Sequence, residues 1–366
     1  MKTLTPTVLS AVLAVALVSP SLATEAPSSV FSQDPQANDL FVKARDYLGK
    51  SDPRVGGQLA NAREAIKLYE QAVNKDPGFA LAYVDMARAW LRLGYSNPDG
   101  ASTEELMPPA RAALTKAVAL DPNLADAHLM LAALAFNIDY EWDKADREYS
   151  RGLQLQPDNA DAHANYAAYL SSMGRFSAAL AQMKKADTLA PSAATDFAFA
   201  RIYYAMHHYN AAAVYCQKSL AQQDNMVVRF YLGLIYAAEK QYDKAIPQLK
   251  STTTEKNGGA LAGLAYAYAM AGQRQRAREL LDKLYANRDS GLIVPYRIAA
   301  VYVALGDKDQ AFKWLGKSYA DHDNWLAQLQ VDPVMDPLRS DPRFQELLRK
   351  VHFSEFVPDH IGKLSS

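Results

Sequence analysis

Apolar positions recur along this chain with the spacing of helices, and the helical phrases close on Pro at regular intervals. Read backwards from Pro157, Ala145, Tyr149 and Gly152 stand 12, 8 and 5 residues before it. The same offsets give Ala179, Met183 and Ala186 before Pro191, Ala110, Leu114 and Ala117 before Pro122, and Ala65, Tyr69 and Ala72 before Pro77. These Pro residues follow one another at steps of 45, 35 and 34 residues. Small residues at fixed places let one helix backbone approach its neighbour, and the larger apolar residue fills the space between them. Alternation of the strand kind is absent, so an all-α fold is predicted.

A period of about 34 residues built this way resembles the tetratricopeptide repeat, a helix–turn–helix unit. About eight units follow in register. The first pairs a helix near 40–48 with one near 62–73. The second, 80–122, carries an insertion at 96–109, where Asn97-Pro98-Asp99-Gly100 is a turn sequence and Ser102-Thr103-Glu104-Glu105 starts a short helix. The third, 125–157, has Asp139-Tyr140-Glu141-Trp142 at its turn. The fourth, 160–191, places Gly174 where a left-handed cap ends a helix. The fifth runs to Asp224, and Ala245, Ala277 and Ala311 mark the sixth, seventh and eighth. The resemblance implies a right-handed superhelical solenoid in which stacked neighbours bury a shared face. Helices of about 12–15 residues would draw their stability from that stacking more than from propensity. Asp341-Pro342 followed by Phe344, Leu347, Leu348 and Val351 predicts a helix over 342–351 capping the open end.

The ends add an address. Met1 and Lys2 precede an apolar run over 8–18, and Ser21-Leu22-Ala23 before Thr24 is a small-x-small cleavage site, the make-up of a secretory signal peptide. The run falls short of the roughly 20 residues that span a bilayer. No Cys near the site offers a lipid anchor. The predicted organisation is a signal peptide at 1–23, a flexible lead at 24–37, the repeat array at 38–321, a cap at 322–352 and a tail at 353–366. A periplasmic or secreted protein is expected, without stable membrane insertion.

With 49% hydrophobic residues the chain can build a sizeable core, and its single cysteine, Cys216, rules out an internal disulfide. Cys216 falls at an apolar helix position and is expected to be packed rather than reactive. The net charge is −1. The sequence lacks the basic block that phosphate backbones require, so nucleic acid and anionic lipid are not expected partners.

Ala65-Ile66-Lys67-Leu68-Tyr69-Glu70-Gln71-Ala72, Trp142-Asp143-Lys144-Ala145 and the closing Asp336-Pro337-Leu338-Arg339-Ser340-Asp341-Pro342-Arg343-Phe344 resemble the C-terminal repeat arrays of bacterial winged-helix regulators, adenylate cyclases and Ser/Thr kinases. Only a signal peptide precedes the array here, so the resemblance implies an interaction array without an output domain. It imports no catalysis.

Candidate chemistry is sparse. His128 and His163 sit a whole repeat apart and are expected to pack rather than bind metal. His207-His208 suit a helix end, where cations are favoured. Glu104-Glu105 read as a solvated face, because adjacent helix residues diverge. No nucleophile elbow, zinc-protease signature or phosphate loop occurs, so a non-enzymatic protein without cofactor or metal is expected. What the tetratricopeptide resemblance does imply is a concave groove lined by the first helix of each unit. By that resemblance its residues are Val84, Arg88, Arg92, Leu129, Phe136, Phe197, Arg201, Tyr204, Phe230, Tyr266 and Tyr296. Aromatics beside occasional Arg anchor interfaces well. The leading expectation is a scaffold or adaptor binding a protein or peptide there. A small-molecule sensor using the same groove is the alternative, and an unrecognised hydrolase is more remote.

Overall fold

The computed structural model describes residues 31–49, 59–96, 103–254, 257–286 and 294–353. The stretch expected to be a signal peptide, the expected turn at 97–100 and all but the first residue of the expected tail lie outside them. The described residues are helical and fall into two compact units, Met1–Ala162 and His163–Ser366, each considered by itself.

The first unit holds α1 (Pro35–Gly49), α2 (Leu59–Lys75), α3 (Ala80–Ser96), α4 (Thr103–Leu120), α5 (Ala125–Leu134) and α6 (Trp142–Leu155). Helix α1 begins inside the stretch expected to be a flexible lead. There Asp34 Oδ1 accepts from the Gln36 and Ala37 amides at 2.7 and 3.2 Å, satisfying two of the free donors of the first turn. The short helix expected at 102–105 is not separate. From Thr103 it runs on through Pro108 and Pro109 to Leu120. The predicted small positions Ala65, Ala72, Ala110 and Ala117 are all fully buried, and Phe41 fills the gap beside them, 5.9 Å from Tyr69 and 4.8 Å from Phe79 between ring centroids. Gly152 answers a steric demand: a β-carbon there would stand 2.5 Å from the Leu129 side chain.

Helix α7 (Ala160–Ser172) crosses the division. The second unit continues with α8 (Phe176–Leu189), α9 (Ala193–Ala205), α10 (Tyr209–Gln222), α11 (Met226–Ala238) and α12 (Tyr242–Ser251). It is completed by α13 (Gly258–Met270), α14 (Arg274–Ala286), α15 (Pro295–Leu305), α16 (Lys308–Ala320) and α17 (Pro342–Lys350). The even-numbered helices bury one stripe, as Phe176, Ala179, Met183 and Ala186 do in α8. The first helices α11, α13 and α15 are buried on most of their circumference; α13 buries Gly258, Ala260, Ala262 to Ala267 and Ala269. That difference follows from position, since a first helix is flanked on both sides by other helices.

The turn inside a pair is closed by a left-handed residue. Gly174 takes it as expected (φ 71°), but His207 and Lys240 hold the same place at 61° and 59°. Cys216, in α10, is fully buried, and burial pushes its thiol up to about 12. It should resist a thiol reagent such as 5,5′-dithiobis(2-nitrobenzoate) in native buffer and react on unfolding. Fast native labelling would contradict the packing.

Beyond α16 the chain leaves the paired pattern but keeps a period of its own. Asp323, Asp332 and Asp341 cap three successive elements: a 3₁₀ turn at Asn324–Gln328, another at Pro333–Leu338, and α17. Each carboxylate accepts from the amide two residues on, at 3.1 Å in all three. The third residue after each cap, Leu326, Met335 and Phe344, is buried, and so is the sixth, Leu329, Leu338 and Leu347. The expected terminal helix is present as α17, where Arg343 Nη1 meets Asp309 of α16 at 2.7 Å.

Candidate binding face of the second unit

The segment between Asp323 and Arg339 does not simply cover an end. It lies along the face formed by α9, α11, α13 and α15. At α15, the Tyr296 hydroxyl donates to Asp332 Oδ2 at 3.0 Å. The neighbouring Arg297, only 5% exposed, sits between two aromatic faces, 3.9 Å from the Trp325 ring centroid and 4.9 Å from that of Phe230. A desolvated cation so placed is worth about 2 kcal/mol. Asp323 Oδ2 accepts from Ser318 Oγ at 3.0 Å, tying the start of the segment to α16. At the far end, His207 after α9 has Nδ1 3.6 Å from Asp336 Oδ2. Arg339 closes the run back on itself through Gln330 O at 2.5 Å and Asp336 at 2.7 Å.

Electrostatics along this face are governed by burial. Burial, and then the Asp332 charge, raise the pKa values of Tyr204, Tyr266 and Tyr296 well past the ordinary phenol value, so their hydroxyls stay protonated donors. Burial likewise raises the Asp332 carboxyl, opposed by Arg297 and by its two accepted hydrogen bonds. For His207, burial lowers the pKa and Asp336 only partly offsets it. The neutral ring is thereby favoured, with Nδ1 3.2 Å from the Tyr209 hydroxyl, rather than a cation serving a helix dipole.

The residues that the sequence nominated for a groove are distributed unevenly. Val84, Phe136, Tyr204, Tyr266 and Tyr296 are buried. Phe136 packs on Trp142 at 6.2 Å, and Leu129 packs against Gly152. Arg88 is pinned by Asp85 and, at 2.9 Å, by Asp126, while Arg92 donates to Leu48 O at 2.6 Å. Phe230 lies over Gly263, where a β-carbon would come 2.2 Å from its ring. Phe197 and Arg201 are only half-buried. Sequence reasoning missed Arg297, Trp325, Asp323 and Asp332. The nine-residue spacing of Asp323, Asp332 and Asp341 was the signal that could have found the segment.

Away from this face, His128 and His163 are engaged by hydrogen bonds. His128 bonds Glu148 at 2.6 Å and Pro122 O at 3.0 Å, and His163 bonds Gln182 at 2.6 Å. Among the described residues no group of three or more His, Cys, Asp or Glu could hold a metal ion, and no helix is long and apolar enough to cross a membrane.

Paired helices with buried small residues define a tetratricopeptide-type helical repeat. Yeast Tom70 shares the fold: 15% identity, with 92% of this chain and 72% of that one covered and a TM-score of 0.54. A tetratricopeptide repeat protein from Parabacteroides merdae aligns over 87% of this chain and 99% of its own, at 14% identity and a TM-score of 0.39. In sequence, the chain is 34% identical to the type IV pilus assembly protein PilF of Pseudomonas aeruginosa over 116 residues, which is 31% of this chain and 44% of that protein. The match therefore spans less than half of the relative's length. No family model matches the chain.

Proposed function

We propose that this protein is an exported, non-enzymatic scaffold that binds a segment of a partner protein on the first-helix face of its repeats. One observation carries the reading: that face in the second unit already holds a non-repeat segment of two 3₁₀ turns through Tyr, Arg and Asp contacts, which is what a peptide-binding groove does. The partial relative is a type IV pilus assembly protein, which agrees in kind with a scaffold. The signal peptide expected over 1–23 supports a periplasmic or secreted location. The weak net charge of −1 favours protein over nucleic acid as partner.

The sensor alternative is less well supported by size. The cavity left on this face is about 40 Å³, whereas small-molecule sites run to roughly 300–1,000 Å³. Among the described residues no grouping of nucleophile, base and orienting acid supports the hydrolase reading.

Affinity capture from an envelope extract with residues 24–366, beside an Arg201→Glu variant of equal thermal stability, tests the proposal. A defined protein should be retained by the parent and reduced about tenfold or more by the reversed charge. A well-folded parent that retains no protein would end the scaffold reading.

A further inference from the structure

The C-terminal segment stops short of covering the whole first-helix face. Between α7, α9 and the bend at Gln328–Pro333 it leaves the cavity of about 40 Å³, floored by Met183 and walled by Ala164, Ala168 and Ala198. Its polar side chains include Arg201, Ser171 and Ser172. Arg201 stands apart from the other arginines of this face. Arg297 is sandwiched between rings and Arg339 is paired with Asp336. Among the described residues Arg201 has neither an ion pair nor a hydrogen bond; its guanidinium rests 5.8 Å from the Tyr231 ring centroid. Its Nε is buried and finds no acceptor. Asp332 lines the same cavity, but its oxygens are already taken by the Tyr296 hydroxyl and the Val334 amide.

A buried donor on a cation is expensive to leave unpaired, and a carboxylate is the acceptor that satisfies it best. The space suits such a group, since one water needs about 10–15 Å³ and the cavity would hold roughly three. The alanine walls offer no other polar contact and leave no room for a bulky neighbour. A chain terminus would ask for a second cationic donor, and Arg201 is the one cationic side chain among the residues lining this cavity.

We infer that this cavity, built jointly by α7, α9 and the C-terminal segment, receives the carboxylate of an Asp or Glu side chain within a partner peptide, with Arg201 as its donor and small residues on either side. The inference rests on the scaffold reading and gives its site a chemistry. It also makes the C-terminal segment a permanent wall of the site rather than a competitor for it.

Panning a library of random dodecapeptides, amidated at the C-terminus, on the purified chain tests this. Binders should share one acidic position flanked by Ala, Gly or Ser. Changing that residue to its amide should weaken binding about tenfold, the worth of one charge-assisted hydrogen bond. Arg201→Gln should do the same, and Arg201→Lys should lose less. Combining the peptide change with Arg201→Gln should cost no more than either alone, because both delete one interaction. Additive losses, or binders without an acidic position, overturn the Arg201 site while leaving peptide binding intact. Failure to select any binder on a chain with an unaltered melting curve overturns the groove reading as well.

Discussion

Ending the chain after Asp321 should unfold the second unit rather than open its groove. The removed residues include Leu326, Leu329, Met335, Leu338 and Phe344, none more than 1% exposed. At about 1.5–3 kcal/mol for each fully buried side chain, the loss is on the order of 10 kcal/mol as an upper bound. That rivals the roughly 5–15 kcal/mol that holds a whole domain folded. Truncation would also expose Tyr204, Tyr266 and Tyr296 together, an apolar face that invites aggregation. Thermal unfolding by circular dichroism and limited proteolysis should show the second unit lost. A soluble truncated chain with an unchanged transition and stronger peptide binding would instead make the segment a removable plug. The milder Leu329→Ala should cost about 2–5 kcal/mol, as buried leucines do.

Asp332→Ala should be the costliest single polar change, by about 2–4 kcal/mol. It removes the cap on the Val334 amide, typically worth about 0.5–2 kcal/mol. It also strands the Tyr296 hydroxyl, fully buried, without its acceptor, which costs about 1–3 kcal/mol. Asp332→Asn keeps the cap through Oδ1 and reverses the Tyr296 contact, so it should cost about 1 kcal/mol or less at neutral pH. Acidity separates the two effects. Burial raises the Asp332 carboxyl above its unfolded value of 3.8. A carboxyl raised on folding adds stability that is complete below the unfolded pKa and is lost as pH rises through the folded one. The native chain should therefore gain on Asp332→Asn as pH falls from neutral toward 4, measured by urea unfolding at each pH. A gap that narrows on acidification would mean that the ionised form is the better-held one.

Much of the fold is legible in the chain. Ala65, Ala72, Ala110, Ala117, Ala145 and Ala179 occupy the close approaches that their spacing demanded, and Gly174 takes the left-handed turn. The reason is local: each repeat packs mainly on its neighbours, so a fixed period carries most of the contact information. Turns were less legible, because His207 and Lys240 adopt a backbone conformation that composition assigns to glycine. The binding face was legible only as a set of first-helix positions. Whether Arg88, Arg201 or Tyr296 is free depends on what approaches from elsewhere. Asp85 and Asp126 claim Arg88, and a segment some thirty residues downstream claims Tyr296.

The sequence by itself determined the helix pairs, their register and the small residues at their contacts, since helical period and side-chain volume are properties of neighbouring positions. It also determined the capped character of 341–344, because Asp before Pro satisfies a helix start locally. Only the tertiary structure decided that 323–339 returns across four first helices, that Arg297 is spent between Phe230 and Trp325, and that Arg201 is left without an acceptor. Those outcomes are set by burial and charge pairing between residues far apart in the chain, where no repeat period links one partner to the other.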